Sequence, residues 1–372
     1  VMLSGGIDSS LISLMLRDSK LPHYTARFKN ADYDELDKAR IISKEVGSER
    51  VEIYCDDAHE IEDDLLKVTY HADGHLADPS SLAFFRLCKQ IRGRCKVAIS
   101  GDGGDELFAG YDTYLATLLA SKFYKMVPRS LASKISKSLF FSHLGTDKKY
   151  PKLQIIGRFF EGVGEGRFAH AEWRRFLPSW SYEDLYGSEM KQFCSIDPLE
   201  GYKNHIGSAS NILDGSLIAD QSYYLPADLL FKVDTMSMAH GLEVRVPFLD
   251  KRVMNFANSL PQEYLTGYFN NKRKDFLRKS LKRHHISRKI INQKKSGFEV
   301  PVTKLLTCEL RDFCIDLFER NADLFAPYFK PDAIKKIWLA QKNQKQDYSY
   351  FLWSLITFAI WWRKFYRWRP VS

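Results

Sequence analysis

The pattern of apolar and polar positions divides the chain into three parts. Residues 1–118 predict alternating strands and helices, with strands at Val1–Leu3, His23–Phe28, Arg50–Tyr54 and Lys96–Ser100. Helices are expected at Ser9–Arg17, Asp34–Val46, Ala58–Tyr70 and Ser81–Ile91. Such an order places the chain in the α/β class, with a parallel sheet and flanking helices. Residues 119–214 turn to helical stretches broken at Pro128-Arg129-Ser130 and Gly162-Val163-Gly164-Glu165-Gly166, with no fixed period, so a helical elaboration is expected rather than a repeat array. Residues 215–372 predict a largely helical C-terminal half, with helical spacing in Leu310–Phe318 and Trp353–Ile360. The apolar run Tyr350–Trp362 falls short of the ~20 residues of a membrane span, so a buried helix is expected. The aromatic and basic stretch from Trp361 to Arg369 suits a helix packed on the protein body better than one lying on a membrane.

At 372 residues, the chain has length for a large core. Its formal charge of +9 is carried by Lys and Arg interleaved with acids, which fits a basic surface and gives no compact nucleic-acid stripe. Six cysteines form no C-x-x-C pair and ten histidines form no H-E-x-x-H, so neither a zinc site nor a disulfide framework is indicated. A reducing cytoplasm is the expected compartment. The chain opens almost inside its first strand, and a segment upstream of Val1 is expected.

Chemistry concentrates in two loops that each follow a predicted strand. Ser4-Gly5-Gly6-Ile7-Asp8-Ser9-Ser10 combines conformationally free glycines, hydroxyl donors and a helix start, the ingredients of a polyphosphate cradle. No Lys follows the glycines, so it is not a Walker loop. Asp8 would repel phosphate unless a cation stood between them, and Mg²⁺ is the hard, oxygen-seeking ion that fills this role. Ser100-Gly101-Asp102-Gly103-Gly104-Asp105-Glu106 brings three carboxylates into a second Gly-rich turn. Ligands of parallel sheets sit beyond the carboxyl ends of the strands, so both loops are expected to face one crevice.

Together with Glu243-Val244-Arg245-Val246-Pro247-Phe248-Leu249-Asp250 and Lys295-Ser296-Gly297-Phe298-Glu299-Val300-Pro301, these loops resemble the synthetase domain of glutamine-dependent asparagine synthetases. The likeness spans nearly the whole of 1–372, and the S-G-G-I-D-S-S loop resembles that of the ATP pyrophosphatase superfamily. The resemblance implies an adenine nucleotide alpha hydrolase-like fold and a ligase that activates a carboxylate as an acyl-adenylate. Aspartate, ATP and ammonia would give asparagine, AMP and pyrophosphate. It further implies that Ser4, Gly5, Gly6, Asp8, Ser9 and Ser10 hold the β/γ-phosphates. Leu3, Ala26, Phe28, Ser100 and Gly101 would line the adenosine site, and Asp8 with Asp105 would bind Mg²⁺. Asp102 would stand near the acyl substrate, and Lys295, or Lys294 if the register slips by one, would contact the reacting phosphates. Glu243 and Arg245 would close the site or form a structural pair beneath it.

Two positions depart from the family pattern: Thr235 where Arg is common, and Arg50 where His is common. The family's glutaminase domain is not in this chain and would act in cis or in trans, and a homodimer is left open. A close alternative keeps the mechanism but amidates another acid, such as a sugar carboxylate or a peptide or β-lactam precursor. A pocket lacking a cation for the substrate's α-carboxylate would favour it. Modification of tRNA is disfavoured by the charge pattern, and a non-catalytic binding role by the presence of both Asp8 and Asp105.

Overall fold

A computed structural model describes residues 1–30, 33–55, 60–74, 76–140, 152–267, 272–284, 286–292, 298, 300–326 and 328–366. Its organising element is a small parallel sheet. Strand β1 (His23–Arg27) pairs with β2 (Arg50–Tyr54), and β3 (Val97–Ile99) pairs with β4 (Glu243–Arg245), both parallel. Residues 1–3 join the two pairs: the Leu3 amide donates to the Tyr24 carbonyl at 2.8 Å and the Met2 amide to the Ile99 carbonyl at 2.9 Å. The spatial order is therefore β2, β1, residues 1–3, β3, β4. The order in which the chain visits the strands reverses at residues 1–3, the switch point where a parallel sheet opens a crevice beyond its strand ends.

Crossover helices cover the sheet. Helix α1 (Ile7–Met15) follows the first loop, α2 (Leu36–Val46) joins β1 to β2, and α3 (Ile61–His71) and α4 (Ser80–Arg92) precede β3. A short helix α5 (Gly104–Leu107) begins inside the second loop. Helix α1 starts two residues earlier than the pattern predicts, at Ile7, because Gly6 is already extended at φ −66°, ψ 169° and leaves Ile7 as the first helical position. Ser9 and Ser10 thus sit in its first turn. β4 comes from the Glu243-Val244-Arg245 motif, which sequence patterning left outside the sheet.

Two large apolar cores lie either side of this layer. One gathers α3, α4 and the C-terminal helix Ser349–Trp361, where Trp353 and Leu352 are fully buried. The other packs α1 and α2 against Phe108, Tyr114 and the helix Asp275–Arg283. No helix among the described residues is long and apolar enough to cross a membrane. The aromatic end packs inward, with Trp362 stacked on Phe358 at 5.7 Å and edge-on to Tyr328 at 5.4 Å. None of the six cysteines, all among the described residues, forms a disulfide.

His23 is buried at the start of β1, its Nδ1 2.9 Å from the Ser43 hydroxyl on α2. Burial lowers its pKa from 6.5 to about 4. The unfolded chain therefore binds the extra proton first, and this contribution to stability is complete above pH 6.5 and is lost as pH falls towards 4. Denaturant unfolding across that range is expected to show the falling stability, with a shallower slope in His23→Gln.

Candidate functional site

The two loops converge. A cleft of about 1120 Å³ opens at the switch point and is lined by Leu3, Ser4, Gly6, Asp8 and Ser9 from the first loop. Ser100, Gly101, Asp102 and Asp105 line it from the second, with Ala26 and Phe28 from the end of β1. Its volume lies at or above the ~300–1,000 Å³ of a typical small-molecule site, which leaves room for more than one ligand.

In the first loop the Ser4 hydroxyl accepts from the Gly6 amide at 3.2 Å and lies 3.1 Å from the Ser9 hydroxyl. Gly5 has φ +77°, and a Cβ there would stand 2.5 Å from the Ala39 amide nitrogen. It packs the turn against α2 and does not line the cleft. Ser10 points into the interior, fully buried, and is also absent from the lining. Of the six residues expected to hold phosphates, Ser4, Gly6, Asp8 and Ser9 face the cleft, while Gly5 and Ser10 shape the turn behind it.

Asp8 and Asp105 are brought together by a residue that sequence reasoning missed. The buried Lys274 ammonium bonds to Asp8 Oδ2 and stands 2.6 Å from Asp105 Oδ1. Burial works against its charge, but the Asp105 and Asp8 carboxylates outweigh that and raise its pKa. Lys274 adopts φ +54°, costly for a side chain with a Cβ, immediately before the helix Asp275–Arg283. Gly110 makes the close approach feasible: a Cβ there would lie 1.7 Å from Asp105 Oδ1 and 2.2 Å from Lys274 Cε. Carboxylate oxygens are the donor type that Mg²⁺ takes, and here the Lys274 ammonium stands between the two. In the sequence, Lys274 sits in the run Lys272-Arg273-Lys274, which reads as a solvated basic patch.

The cleft continues along a wall of charged groups. Lys232 donates to Asp78 Oδ2 at 2.7 Å and to the Ser80 hydroxyl at 2.8 Å, and the Ser80 amide donates to Asp78 Oδ1 at 2.9 Å. Asp102 accepts from the Ser100 hydroxyl at 2.7 Å. Next to Asp105, burial and the Asp105 charge raise the Glu106 carboxyl to about 7, although it accepts a hydrogen bond from the Tyr111 phenol.

Glu243 and Arg245 do not reach the cleft. They occupy the same face of β4, 55% and 65% exposed, and pair with each other at 2.8 Å. Period-two alternation on β4 turns both outward, which corrects the expectation that they close the site. Thr235 bonds to the Phe231 carbonyl at 2.7 Å and Arg50 to Glu52 at 3.1 Å, and neither lines the cleft. Lys294 and Lys295 lie outside the described residues.

Comparison with known proteins accords with this geometry. Residues 1–363 match the family model for asparagine synthase. Asparagine synthetase [glutamine-hydrolyzing] 1 of Bacillus subtilis is 28% identical over 96% of this chain and 55% of its own length. A putative asparagine synthetase [glutamine-hydrolyzing] of Mycobacterium bovis is 28% identical over 96% of this chain and 53% of its own. Amidase chyE of Penicillium rubens is 24% identical over 81% of this chain and 49% of its own length. The chain thus spans about half the length of the curated relatives it matches.

Removing the shared cation would leave Asp8 and Asp105 facing each other across a partly buried gap. Lys274→Met is expected to destabilise the fold by about 3–5 kcal/mol, the cost of breaking a buried ion pair. Added Mg²⁺ should recover part of the lost melting temperature in the variant and raise that of the unmodified chain less. A variant as stable as the parent, and indifferent to Mg²⁺, would show that the three groups do not act as one cation site.

Proposed function

Because the chain belongs to the asparagine synthase family, we propose that it catalyses ATP-dependent amidation of a carboxylate, with aspartate as the substrate and asparagine as the product. The observation that carries this reading is the convergence of Asp8, Lys274 and Asp105 at the mouth of a crevice between two strand-end loops. Family membership supports an amide-forming enzyme that uses ATP. Ammonia would come from a glutaminase domain in cis or in trans, in keeping with the relatives' glutamine-hydrolysing names.

In this reading Leu3, Ala26, Phe28, Ser100 and Gly101 hold the adenosine, and Ser4, Gly6 and Ser9 receive the β/γ-phosphates. Asp8 and Asp105 would hold Mg²⁺, which when bound neutralises charge on the phosphates. A carboxylate oxygen of the substrate attacks the α-phosphorus, the bond to the bridging oxygen breaks, and pyrophosphate leaves. Lys274 and the Ser4–Ser9 loop stabilise the departing charge through fixed donors. Lys295 is retained as a second proposed contact to the reacting phosphates. Ammonia nitrogen then attacks the acyl carbon, the bond to the adenylate oxygen breaks, and AMP leaves as the nitrogen sheds a proton. Asp102, which accepts from the Ser100 hydroxyl, would face the acyl group.

Amidation of a different acid is a second reading, favoured by the cleft's volume and by the likeness to an amidase. The cations Lys232 and Arg174 in the lining weigh for a substrate with a second carboxylate.

Pyrophosphate release from Mg²⁺–ATP, with ammonium chloride and a panel of carboxylic acids, tests the proposal. Stimulation by aspartate with asparagine formed is expected, and Asp8→Ala and Lys274→Ala should each lower release by at least ~100-fold. Release with another acid but not aspartate would retain the adenylating mechanism and reassign the substrate. No release with any acid would overturn the proposal.

A further inference from the structure

The far wall of the cleft is built on a π-helical stretch, Asp220–Leu230, that contains Pro226. Proline has no amide proton to give the helix, and wider turns of this kind often mark functional sites. Three of its side chains, Asp220, Tyr224 and Asp228, surround Arg174 or lie beside it.

Arg174 is held as a fixed cation. Its Nη2 donates to Asp220 Oδ1 at 2.5 Å, its Nε donates to the Tyr202 phenol at 3.4 Å, and its guanidinium lies 3.7 Å from the centre of the Tyr224 ring. Asp220 is fully buried and takes further hydrogen bonds from the Tyr114 and Tyr202 phenols, with His170 Nε2 at 2.9 Å. Burial opposes the Asp220 charge, yet Arg174 and His170 hold its carboxyl well below the usual range. The guanidinium is therefore anchored from behind on two nitrogens. Its third, Nη1, makes no hydrogen bond among the described residues, while the side chain lines the cleft.

Asp228 is the opposite case on the same wall. It lines the cleft half-buried, and its carboxylate makes no hydrogen bond or ion pair among the described residues. The nearby cation Lys232 is already committed to Asp78 and Ser80. Burial and the Asp78 charge raise the Asp228 carboxyl to about 6, against the opposing pull of Lys232 and Arg174. Arg174 and Asp228 thus feel each other's charge yet form no ion pair. A protein group of each sign stands open to the cleft, and a ligand carrying both charges would satisfy them together.

We propose that Arg174 and Asp228 form a subsite that binds the α-carboxylate and α-ammonium groups of an amino acid, so that the acyl substrate presents its side-chain carboxylate for activation. This rests on the adenylation reading above and adds residues that select the acid. Two compounds dissect it: β-alanine is aspartate without the α-carboxylate, and succinate is aspartate without the ammonium group.

Initial rates of pyrophosphate release are measured on the full-length protein with Mg²⁺–ATP and ammonium chloride. Arg174→Gln is expected to raise the KM for aspartate by about 10- to 100-fold, the worth of a charged hydrogen bond, with the KM for ATP unchanged. It should also narrow the preference for aspartate over β-alanine, and Arg174→Lys should restore part of both effects. Asp228→Asn, which removes no protein hydrogen bond and should keep the fold, is expected to narrow the preference for aspartate over succinate. Unchanged acid preference in Asp228→Asn, or an equal rise in the KM for ATP in Arg174→Gln, would overturn the subsite. Wild-type turnover of a simple monocarboxylic acid in preference to aspartate would also overturn it while sparing adenylation. A protein inert with every acid would overturn the adenylation reading and the subsite with it.

Discussion

A single ammonium group between two carboxylates sets the geometry of the cleft. Asp8 belongs to the loop after residues 1–3, Asp105 to the loop after β3, and Lys274 to a helix start far along the chain. Two partly buried acids this close repel each other, and taking either from water carries a penalty of several kcal/mol unless an opposite charge is supplied. Lys274 supplies it. The two loops can therefore face each other only when the C-terminal half has docked, which couples assembly of the crevice to completion of the fold. A left-handed backbone at Lys274 and the missing Cβ at Gly110 are local costs accepted to deliver that charge.

Pairing of this kind also organises a cleft whose lining mixes acids with cations, among them Lys38, Arg158, Arg174, Arg175, Arg273 and Arg278. Asp8, Asp78, Asp102, Asp105, Glu106 and Asp228 all line one cleft. Lys274 takes two of them and Lys232 takes Asp78, while Glu106 retains its proton more readily than a free carboxyl. Pairing within the wall thus absorbs much of the local charge, and what stays open is a small set of groups with defined positions. In the proposed reading, a cation held at Asp8 and Asp105 would help to seat the phosphates of ATP in this space.

Much of the two-loop crevice was legible in the sequence because each loop is local. Strand, Gly-rich turn and helix follow one another within residues 1–15, and again from β3 through α5, so the chemistry is written in contiguous residues. The parallel order of the sheet followed from the same alternation. What sequence could not show was long-range placement. Lys274 sits 266 positions from Asp8 in a run of basic residues that looks solvated, and Arg174 lies beside Arg175 in a helical region with no motif. Glu243 and Arg245 illustrate the reverse error. Their motif drew attention to them, but a period of two on an outer strand turns both side chains to solvent.

The π-helical stretch bears on how the proposed acyl end would differ from the proposed phosphate end. An ordinary α-helix would place Asp220, Tyr224 and Asp228 close to one row at four-residue spacing, each about 40° round from the last. Wider winding shifts that row, so Asp220 turns into the interior, Tyr224 offers its face to Arg174, and Asp228 meets the cleft. One helix thereby buries the anchor of a cation and exposes an anion beside it. Asp220 makes Arg174 rigid, and a rigid guanidinium loses little freedom when it binds an anion. In the proposed reading, phosphate chemistry at one end would depend on loops of a kind that many nucleotide-binding folds build. With the acyl subsite on this helix as proposed, choice of acid would depend on how the helix is wound, and the two ends of the cleft could change independently.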